Sequence, residues 1–373
     1  MSRTLIVEPR PIGHRAFYLS LIVQAMGGDD ELSLLAPQDD PGIMDHFRRR
    51  GLDPGAYQFY PPHGDIIARA ADLCREHSIN KVFFAYLDGF LPHLLSSDFP
   101  CPVSGIWFHP YALDRRYRWL PPIDKRLRLR REIHHALRQP PGGLTIERLY
   151  FLDPGAVDAM AKLNPRIAST HLPDPWERMP AMTRDEARRH FGLPDDRIIF
   201  LHIGSSEKRK GLSDVLAAFE SLSPDAGRDD MRPLLLRVGE NDRLRRPDRE
   251  RLDALVTKGM AKVVDGFVSE ADFIEYFSAA DWILLPYRAF RFSSGILSNA
   301  IAAGRPVIAA DHGFIGRTVR ECPAGLLFRH RSRAALSSAI RQAMDCAPQA
   351  FRFLPDALAP ANFISRLKRH PRG

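Results

Sequence analysis

The fold is decided by residues 281–310, DWILLPYRAFRFSSGILSNAIAAGRPVIAA. The apolar run Trp282–Leu285 predicts a buried strand, and the spacing of apolar residues in Ile296–Ala303 predicts a helix. Gly304 stands where a helix commonly ends, a proline follows shortly after it, and Val307–Ala310 is a second apolar strand. A strand, a helix and a strand in this order predict a parallel pair joined by a crossover helix.

The same alternation extends outward from this stretch. Further strands are predicted at Thr4–Val7, Leu32–Leu35, Val82–Tyr86, Val103–Trp107, Arg148–Leu152, Ile198–Ile203 and Leu234–Val238. Helices are predicted between them at Arg15–Met26, Gly64–His77, Gly211–Leu222 and Glu270–Ala279. Alternation of this kind predicts an α/β fold whose parallel sheets are covered on both faces.

The pattern occurs twice, so we predict two doubly wound, Rossmann-like domains. The first spans residues 1–168, a proline-containing linker spans 169–177, and the second spans 178–355. The tail, 356–373, has a short helical pattern and is a candidate to pack back on the first domain. In such sheets ligands bind beyond the carboxyl ends of the strands, where the strand order reverses.

Composition excludes several classes of protein. Of the 373 residues, 45% are hydrophobic and 26% charged, which excludes a disordered chain, a collagen-like repeat and a coiled-coil rod. No apolar run reaches the roughly 18 residues that span a bilayer, and the first residues lack the apolar segment of a secretory signal. The four cysteines lack the clustered spacing of a zinc site or a disulfide framework. We expect a cytoplasmic protein with reduced thiols.

The positive charge is concentrated in one stretch. The chain has 53 basic and 45 acidic side chains, and nine of the basic and three of the acidic ones fall between Leu113 and Gln139. Residues 115–131 carry apolar residues between cations and predict peripheral contact with the inner membrane surface, where each basic residue contributes about 1 kcal/mol. A solvated helix face is the alternative. Nucleic acid is not expected as a partner, because no motif that reads it accompanies the charge.

Three glycine-containing loops follow strands of the second domain. They are Gly204–Gly211, Pro286–Gly295 and Asp311–Gly316. The first carries three cations at a helix start, and the second offers two hydroxyls and exposed N–H groups at another, which suits phosphate. Taken singly, a solvated basic turn or an ordinary serine helix cap explains each loop. Together they predict a pocket for an anionic, nucleotide-like ligand.

These motifs resemble the donor-binding half of glycosyltransferases with the GT-B fold, and most closely the retaining group called glycosyltransferase family 4. The segments that carry the resemblance are Asp281–Pro286, Ser294–Gly295, Asn299–Ile308, Gly204–Gly211 and Gly266–Val268. The resemblance implies two Rossmann-like domains facing each other across a cleft, with a nucleotide-sugar donor on the second. The donor contacts that it implies are Gly204, Ser205, Arg209, Lys210, Phe267, Val268, Ser293, Ser294, Gly295, Ile296 and Asn299.

The first half carries candidate acceptor-side residues. Gly13-His14-Arg15 resembles the glycine-rich acceptor loop of that family. His109 follows a predicted strand, as does a histidine beside the donor sugar in the related enzymes, and it could orient an acceptor or move a proton. Asp88 is a second polar residue at a strand end. Filling a loop corner is the alternative for His109, and helix capping is the alternative for His14 and Asp88.

Three positions depart from the family pattern. Arg291 and Asn299 stand where the family usually has a pair of glutamates, and Ser205 replaces the arginine usual in the phosphate loop. Asn299 can still bind ribose hydroxyls, because its amide both donates and accepts. Arg209, beside Lys210, can serve in place of the missing arginine.

The resemblance implies a hexosyltransferase-like enzyme that moves a sugar, with retention, from a nucleotide-sugar donor to a glycan, lipid-linked or small-molecule acceptor. His109 and Lys210 are the predicted catalytic residues, and Lys210 with the start of the helix at Ser293–Gly295 would stabilise the departing diphosphate. No Asp-x-Asp signature ends a strand, so we expect no metal and no other cofactor. The replaced glutamates leave an alternative, a catalytically silent GT-B-like module that binds a glycan, a nucleotide or a protein partner.

Overall fold

A computed structural model describes residues 2–28, 30–114, 125–140, 142–177, 179–222, 232–288, 291–346, 351, 353 and 355–368. The chain forms two compact units. The first comprises residues 1–173 together with 360–373, and the second comprises residues 174–359.

The first unit is built on a seven-stranded parallel sheet in the order β3-β2-β1-β4-β5-β6-β7. Its strands are β1 Ser2–Val7, β2 Asp30–Leu35, β3 Gln58–Tyr60, β4 Lys81–Phe84, β5 Val103–Ile106, β6 Ile146–Phe151 and β7 Ala168–His171. Its helices are α1 His14–Met26, α2 Pro41–Arg49, α3 Ile66–Glu76, α4 Leu91–Leu94, α5 Lys125–Arg138 and α6 Pro154–Leu163, with α14 Pro360–Lys368 from the end of the chain.

Apolar side chains cover both faces of this sheet. Along β1, Leu5 and Val7 belong to the core on one face and Ile6 to the core on the other, as the alternation of a strand requires. The helix α14 packs on α1, where the Phe363 and Tyr18 rings lie 5.5 Å apart. Phe363 is fully buried there, so residues 360–368 add to the core of the first unit.

The second unit is built on a six-stranded parallel sheet in the order β10-β9-β8-β11-β12-β13. Its strands are β8 Arg197–Ile203, β9 Arg232–Val238, β10 Ala261–Val264, β11 Trp282–Leu285, β12 Val307–Ala310 and β13 Gly325–Phe328. Its helices are α7 Arg184–His190, α8 Leu212–Glu220, α9 Arg246–Thr257, α10 Glu270–Ala279, α11 Gly295–Ala302, α12 Gly313–Glu321 and α13 Arg333–Asp345.

Apart from the additional edge strand β7 in the first sheet, the two sheets have the same strand order, with the reversal between β1 and β4 in one and between β8 and β11 in the other. Two Rossmann-like α/β units are therefore confirmed. The loops after β8 and β11 meet at the reversal of the second sheet, which is where ligands bind in folds of this kind. Within the described residues, none of the helices is long and apolar enough to cross a membrane.

The structure differs from the sequence prediction around the linker. Residues 168–171, predicted to lie at the end of the first domain and in the linker, form strand β7, which pairs with β6 at the edge of the first sheet. Residues 355–358, which the prediction divides between the second domain and the tail, form a short 3₁₀ helix. The Trp176 indole N–H donates to the Pro355 carbonyl at 2.8 Å, which ties that helix to the second unit. Of the predicted basic segment 115–131, residues 115–124 lie outside the described residues.

Candidate functional site

The phosphate-loop candidate begins directly after β8. Gly204 follows the strand, Lys208–Lys210 form a 3₁₀ turn, and Gly211 leads into α8. Gly211 has a φ of 73°, and a Cβ on it would lie 2.0 Å from the carbonyl oxygen of Pro286. Only glycine fits this close approach, which brings the loop after β8 against the loop after β11.

Lys210 joins these two loops through polar contacts. Its ammonium Nζ donates to the Tyr287 hydroxyl at 2.9 Å and lies 3.3 Å from the position that a Cβ on Gly204 would take. The Tyr287 hydroxyl is in turn 3.1 Å from the hydroxyl of Ser294, at the start of α11. Lys210 forms no ion pair within the described part of the chain. The site therefore holds a positive charge that no carboxylate compensates directly.

Arg209, the other predicted phosphate contact, has a different environment. Its guanidinium Nε donates to Glu207 at 2.6 Å, so a carboxylate of the same loop compensates part of its charge. Its main-chain carbonyl accepts from the N–H of Arg288 at 2.8 Å. The structure therefore places Lys210 and Arg209 in one loop but pairs only Arg209 with an acid.

The serine residues at the start of α11 have separate partners. The Ser293 hydroxyl donates to the carboxylate of Asp174, while the Ser294 hydroxyl belongs to the Lys210–Tyr287 chain. Ser294 is the N-cap of α11 but makes no side-chain capping bond. Gly295 is exposed and Ile296 buried in the first turn that follows.

Asn299 and Arg291 make hydrogen bonds and packing contacts to nearby main chain. The Asn299 side-chain N–H donates to the Gly295 carbonyl at 2.9 Å, and its side-chain oxygen accepts from the N–H of Glu177 at 3.2 Å. The Arg291 carbonyl accepts from the N–H of Phe314 at 2.9 Å, and a Cβ on Gly313 would lie 2.5 Å from the Arg291 Cα. Arg291 thus packs its loop against the start of α12.

Phe267 and Val268 follow the edge strand β10. Phe267 is 85% exposed, whereas Val268 is half-buried. Ser269 then caps α10 by accepting from the N–H of Asp272 at 3.0 Å. The segment therefore presents an aromatic ring to solvent beside a fixed helix start.

The sequence reasoning missed two buried polar residues beneath the phosphate loop. His202 on β8 is 1% exposed, and its ring Nε2 lies 3.2 Å from the Lys210 carbonyl. Burial, with a contribution from the nearby Arg237 charge, lowers the pKa of His202 to about 3, so the ring is neutral and donates from Nε2. Arg237 on β9 is fully buried, and its guanidinium donates to main-chain carbonyls of the loops after β8 and β9. A charged or polar residue inside an apolar strand was the available signal.

The first unit carries its own polar cluster at the carboxyl ends of β4 and β5. The Asp88 carboxylate accepts from the main-chain N–H groups of Phe108, at 2.9 Å, and His109, at 2.8 Å. The His109 ring Nδ1 lies 2.9 Å from Asp88 and 3.2 Å from the Tyr86 hydroxyl. An Nδ1–H that donates to Asp88 puts the lone pair of the neutral ring on Nε2, the tautomer of a general base.

Glu8, which the sequence reasoning also missed, extends this cluster. It follows β1 directly, is 1% exposed, and accepts from Arg15 at 3.3 Å and from the N–H of Arg10 at 3.1 Å. Burial raises the pKa of Glu8 to about 7, and the Arg15 charge opposes part of that rise. The Arg15 guanidinium lies 3.7 Å from the centre of the Tyr86 ring. Arg15 thus connects Glu8 to the residues around His109.

The acceptor-loop candidates Gly13 and His14 lie at the start of α1. Gly13 occupies the N-cap position, where no side-chain capping bond is made, and His14 is the first residue of the helix. The His14 ring lies 5.9 Å from that of Tyr18, in an edge-on arrangement. The structure therefore brings Asp88 and His109 into contact, whereas Gly13 and His14 belong to a neighbouring loop.

Comparison with solved structures shows which fold the chain has. The chain is similar to sucrose-phosphate synthase from Thermosynechococcus elongatus, with a TM-score of 0.67 over 99% of this chain and 94% of that one, at 18% identity. It is equally similar, at 13% identity and with the same coverage, to HepE of Anabaena, solved in complex with UDP and glucose. At these identities the likeness concerns the fold, and the fold is that of the GT-B glycosyltransferases.

Sequence comparison then gives the family. Residues 183–355 match the family model described as glycosyl transferases group 1. A curated relative, the D-inositol 3-phosphate glycosyltransferase of Acidothermus cellulolyticus, is 32% identical over 163 residues, 43% of this chain. The chain spans only 36% to 39% of the length of the curated relatives it matches. The predicted resemblance is confirmed, and it supports sugar transfer in general terms.

Proposed function

We propose that the protein transfers a sugar from a nucleotide-sugar donor, bound by the second unit, to an acceptor held by the first. The observation that carries this proposal is the Lys210–Tyr287–Ser294 chain at the strand-order reversal of the second sheet. It combines an ammonium that pairs with no carboxylate among the described residues, a hydroxyl and a helix start, which is a set of donors suited to a diphosphate.

In this proposal Lys210 and the start of α11 stabilise the charge that develops on the departing diphosphate. Such groups act most strongly when they are fixed before the reaction, because no reorganisation is then needed. The hydrogen bond from Lys210 to Tyr287, and the close approach of Gly211 to Pro286, hold the two loops in register. Gly204, Ser205, Ser293, Gly295 and Ile296 would add main-chain or hydroxyl contacts, and Arg209 a second cation.

The donor is proposed to be a uridine diphosphate sugar. The similar Anabaena protein is solved with UDP, with UDP and glucose, and with UDP-glucose, which supports this choice. The exposed Phe267 ring and the half-buried Val268 lie after β10 and are the proposed contacts for the base. The Asn299 amide, whose oxygen and nitrogen both have main-chain partners, is proposed to act on ribose by exchanging one of them.

His109 is proposed to orient the acceptor and to accept its proton, with Asp88 fixing the ring. The names of the curated relatives favour an acceptor that is a phosphorylated polyol or a cell-wall glycan. Gly13 and His14, on the loop after β1, are proposed to contact it. Retention of configuration is proposed from the family resemblance.

The transfer is proposed to need no resident metal, because Lys210 and Arg209 supply positive charge where a cation would otherwise act. The helix α5 is proposed to touch an anionic membrane surface, which would suit a lipid-linked acceptor. Lys125, Arg126, Arg128 and Arg131 are exposed on it. Reversing the charge of Arg126 and Arg128 together should then abolish binding to vesicles that contain phosphatidylserine and leave nucleotide binding intact.

A second candidate function is a silent binding module. The observation that favours it is Asn299, which stands where the family usually has a glutamate and whose amide groups bind Gly295 and Glu177. Such a module would bind a nucleoside diphosphate or a glycan but would not break the bond between sugar and phosphate.

The experiment that tests the proposal is a thermal-shift panel of UDP, GDP and ADP, with EDTA or with magnesium. A ligand that binds only the folded state raises the midpoint by mass action. We expect a rise with UDP that EDTA does not remove, and release of UDP from UDP-glucose once an acceptor fraction is added. UDP binding without any turnover would favour a silent module that binds nucleotide. No shift with any diphosphate would overturn the transferase proposal and leave a silent module that binds a glycan.

A further inference from the structure

Arg237 is a fully buried arginine whose contacts converge on the proposed phosphate loop. Its Nη1 donates to the carbonyl of Gly204 at 2.7 Å and also to that of Val238, and its Nη2 donates to the carbonyl of Glu240 at 2.8 Å. Its Nε donates to the Asn241 side chain at 3.0 Å. One guanidinium therefore binds the main chain just beyond both β8 and β9.

No carboxylate pairs with Arg237 among the residues that the structure describes. Burial lowers the pKa of Arg237 to about 10, while the charge of Asp265 raises it, so the side chain stays cationic at neutral pH. Arg188, the other large buried arginine of this unit, is different because it forms an ion pair with Asp281 at 2.6 Å. Arg237 thus leaves a net positive charge beneath the loop.

The contact with Gly204 also orients the next peptide N–H. In a trans peptide the C=O and the following N–H point in opposite directions. Because the Gly204 carbonyl points at Arg237, the Ser205 N–H points away from it. That N–H donates no hydrogen bond within the described residues. Gly239 permits the arrangement, since a Cβ on it would lie 2.5 Å from the Gly204 oxygen.

Gly204 consequently lies between two cations. The Lys210 ammonium is on its Cα side and the Arg237 guanidinium on its carbonyl side. The neighbouring strand β9 therefore adds a further, buried positive charge beneath Gly204.

We infer that Arg237 is a positioning residue for the donor diphosphate: it presents the Ser205 N–H to a phosphate oxygen and adds buried positive charge beneath the loop. Arg237 does not touch the ligand, because it is fully buried. The inference rests on the proposed function, since it requires that a nucleoside diphosphate occupies this loop.

The test compares the affinities for UDP and for uridine, measured by calorimetry and ligand-observed NMR, in the full chain. Arg237→Gln should bind UDP about tenfold more weakly or worse, because hydrogen bonds and charge directed at phosphate are lost, and should bind uridine as the wild type does. Arg237→Lys keeps the charge but cannot donate to the Gly204 and Glu240 carbonyls at the same time. Its affinity for UDP should therefore lie between those of the wild type and Arg237→Gln. Arg188→Gln is the matched control, a buried arginine whose loss should leave the UDP-to-uridine ratio unchanged.

Several outcomes overturn the inference. UDP affinity within twofold of the wild type in Arg237→Gln would do so, as would an equal loss of UDP and uridine or the same ratio change in Arg188→Gln. If Arg237→Gln does not fold, Arg237→Lys decides, and wild-type affinity for UDP in that variant rejects the orienting role. A wild-type protein that binds no nucleoside diphosphate rejects the proposed function itself, which separates the two failures.

Discussion

The two units share a strand order but differ in the residue that follows their first central strand. In the first unit β1 is followed by Glu8, a buried carboxylate joined through Arg15 to the surroundings of His109. In the second unit β8 is followed by Gly204, which lies between Lys210 and Arg237. The shared topology places a site at the same edge of each sheet, and the charged residues at and around this position make one site acidic and the other cationic.

The largest effect should come from removing the cation of the second unit. Lys210→Gln should weaken UDP binding by about 100-fold, because a charge-assisted contact to phosphate contributes roughly 2–3 kcal/mol. Isothermal calorimetry measures this. Lys208→Gln, an exposed lysine in the same loop, removes the same charge and should change the affinity less than threefold. Equal losses in the two variants would show that only the total charge of the loop matters.

The second effect comes from the acid of the first unit. Because the folded pKa of Glu8 is raised to about 7, the folded state binds more protons than the unfolded state between pH 4.5 and about 7, and stability falls as the pH rises through this window. Between pH 5.5 and 7.5 the free energy of unfolding of the wild type should fall by about 2 kcal/mol. In Glu8→Gln it should fall much less. Hydrogen exchange of β1 and β4 peptides measures this stability at each pH. If the wild type and Glu8→Gln showed the same dependence of stability on pH, the raised pKa of Glu8 would be contradicted.

The third effect concerns the geometry around His109. Asp88→Asn removes a carboxylate that accepts two main-chain N–H bonds and the imidazole Nδ1. Local stability should fall by about 1.5 kcal/mol, the lower end for hydrogen bonds to a charged group. Nitrogen NMR of His109 should also show loss of the Nδ1–H tautomer. Asp65→Asn, an exposed N-cap of α3, is the control, because asparagine caps helices as well as aspartate does.

The sequence was sufficient to predict the centres of both sheets but not their edges. The strands that the pattern missed, β3, β7, β10 and β13, are the four edge strands. Three of them are as long as the predicted central strands β4, β5, β11 and β12, but each edge strand has only one buried residue. Its hydrophobic pattern is therefore too weak to stand out from a loop. Residues 168–171 were assigned to the linker boundary for this reason.

The residues of the candidate site also fall into two groups, those that the sequence could place and those that it could not. Lys210, Ser294 and His109 follow predicted central strands, so their place in the fold could be derived from the sequence. Arg237 and Glu8 could not be assigned a role, because a charged residue within or after an apolar strand shows its partners only once the neighbouring loop is built. Three of the carbonyls that Arg237 binds come from Gly204, Val238 and Glu240, which the sequence alone does not bring together.

The smallest effect should come from His202, and its sign is opposite to that of Glu8. Its pKa is lowered to about 3 in the folded state, so the unfolded state binds more protons between about pH 3 and 6.5, and stability falls as the pH drops. Between pH 6.5 and 5.5 the local stability of the wild type, measured by hydrogen exchange of β8 and β9 peptides, should fall by about 1 kcal/mol. His202→Gln keeps an N–H for the Lys210 carbonyl and should abolish this loss.

The first unit provides an internal control, because burial and the Arg366 charge lower the pKa of His171 to about 4. The loss of stability of β7 peptides in acid should therefore persist in His202→Gln. Loss of both responses would mean that the two units do not unfold independently, and that the opposite pH dependences of their sites cannot be assigned unit by unit.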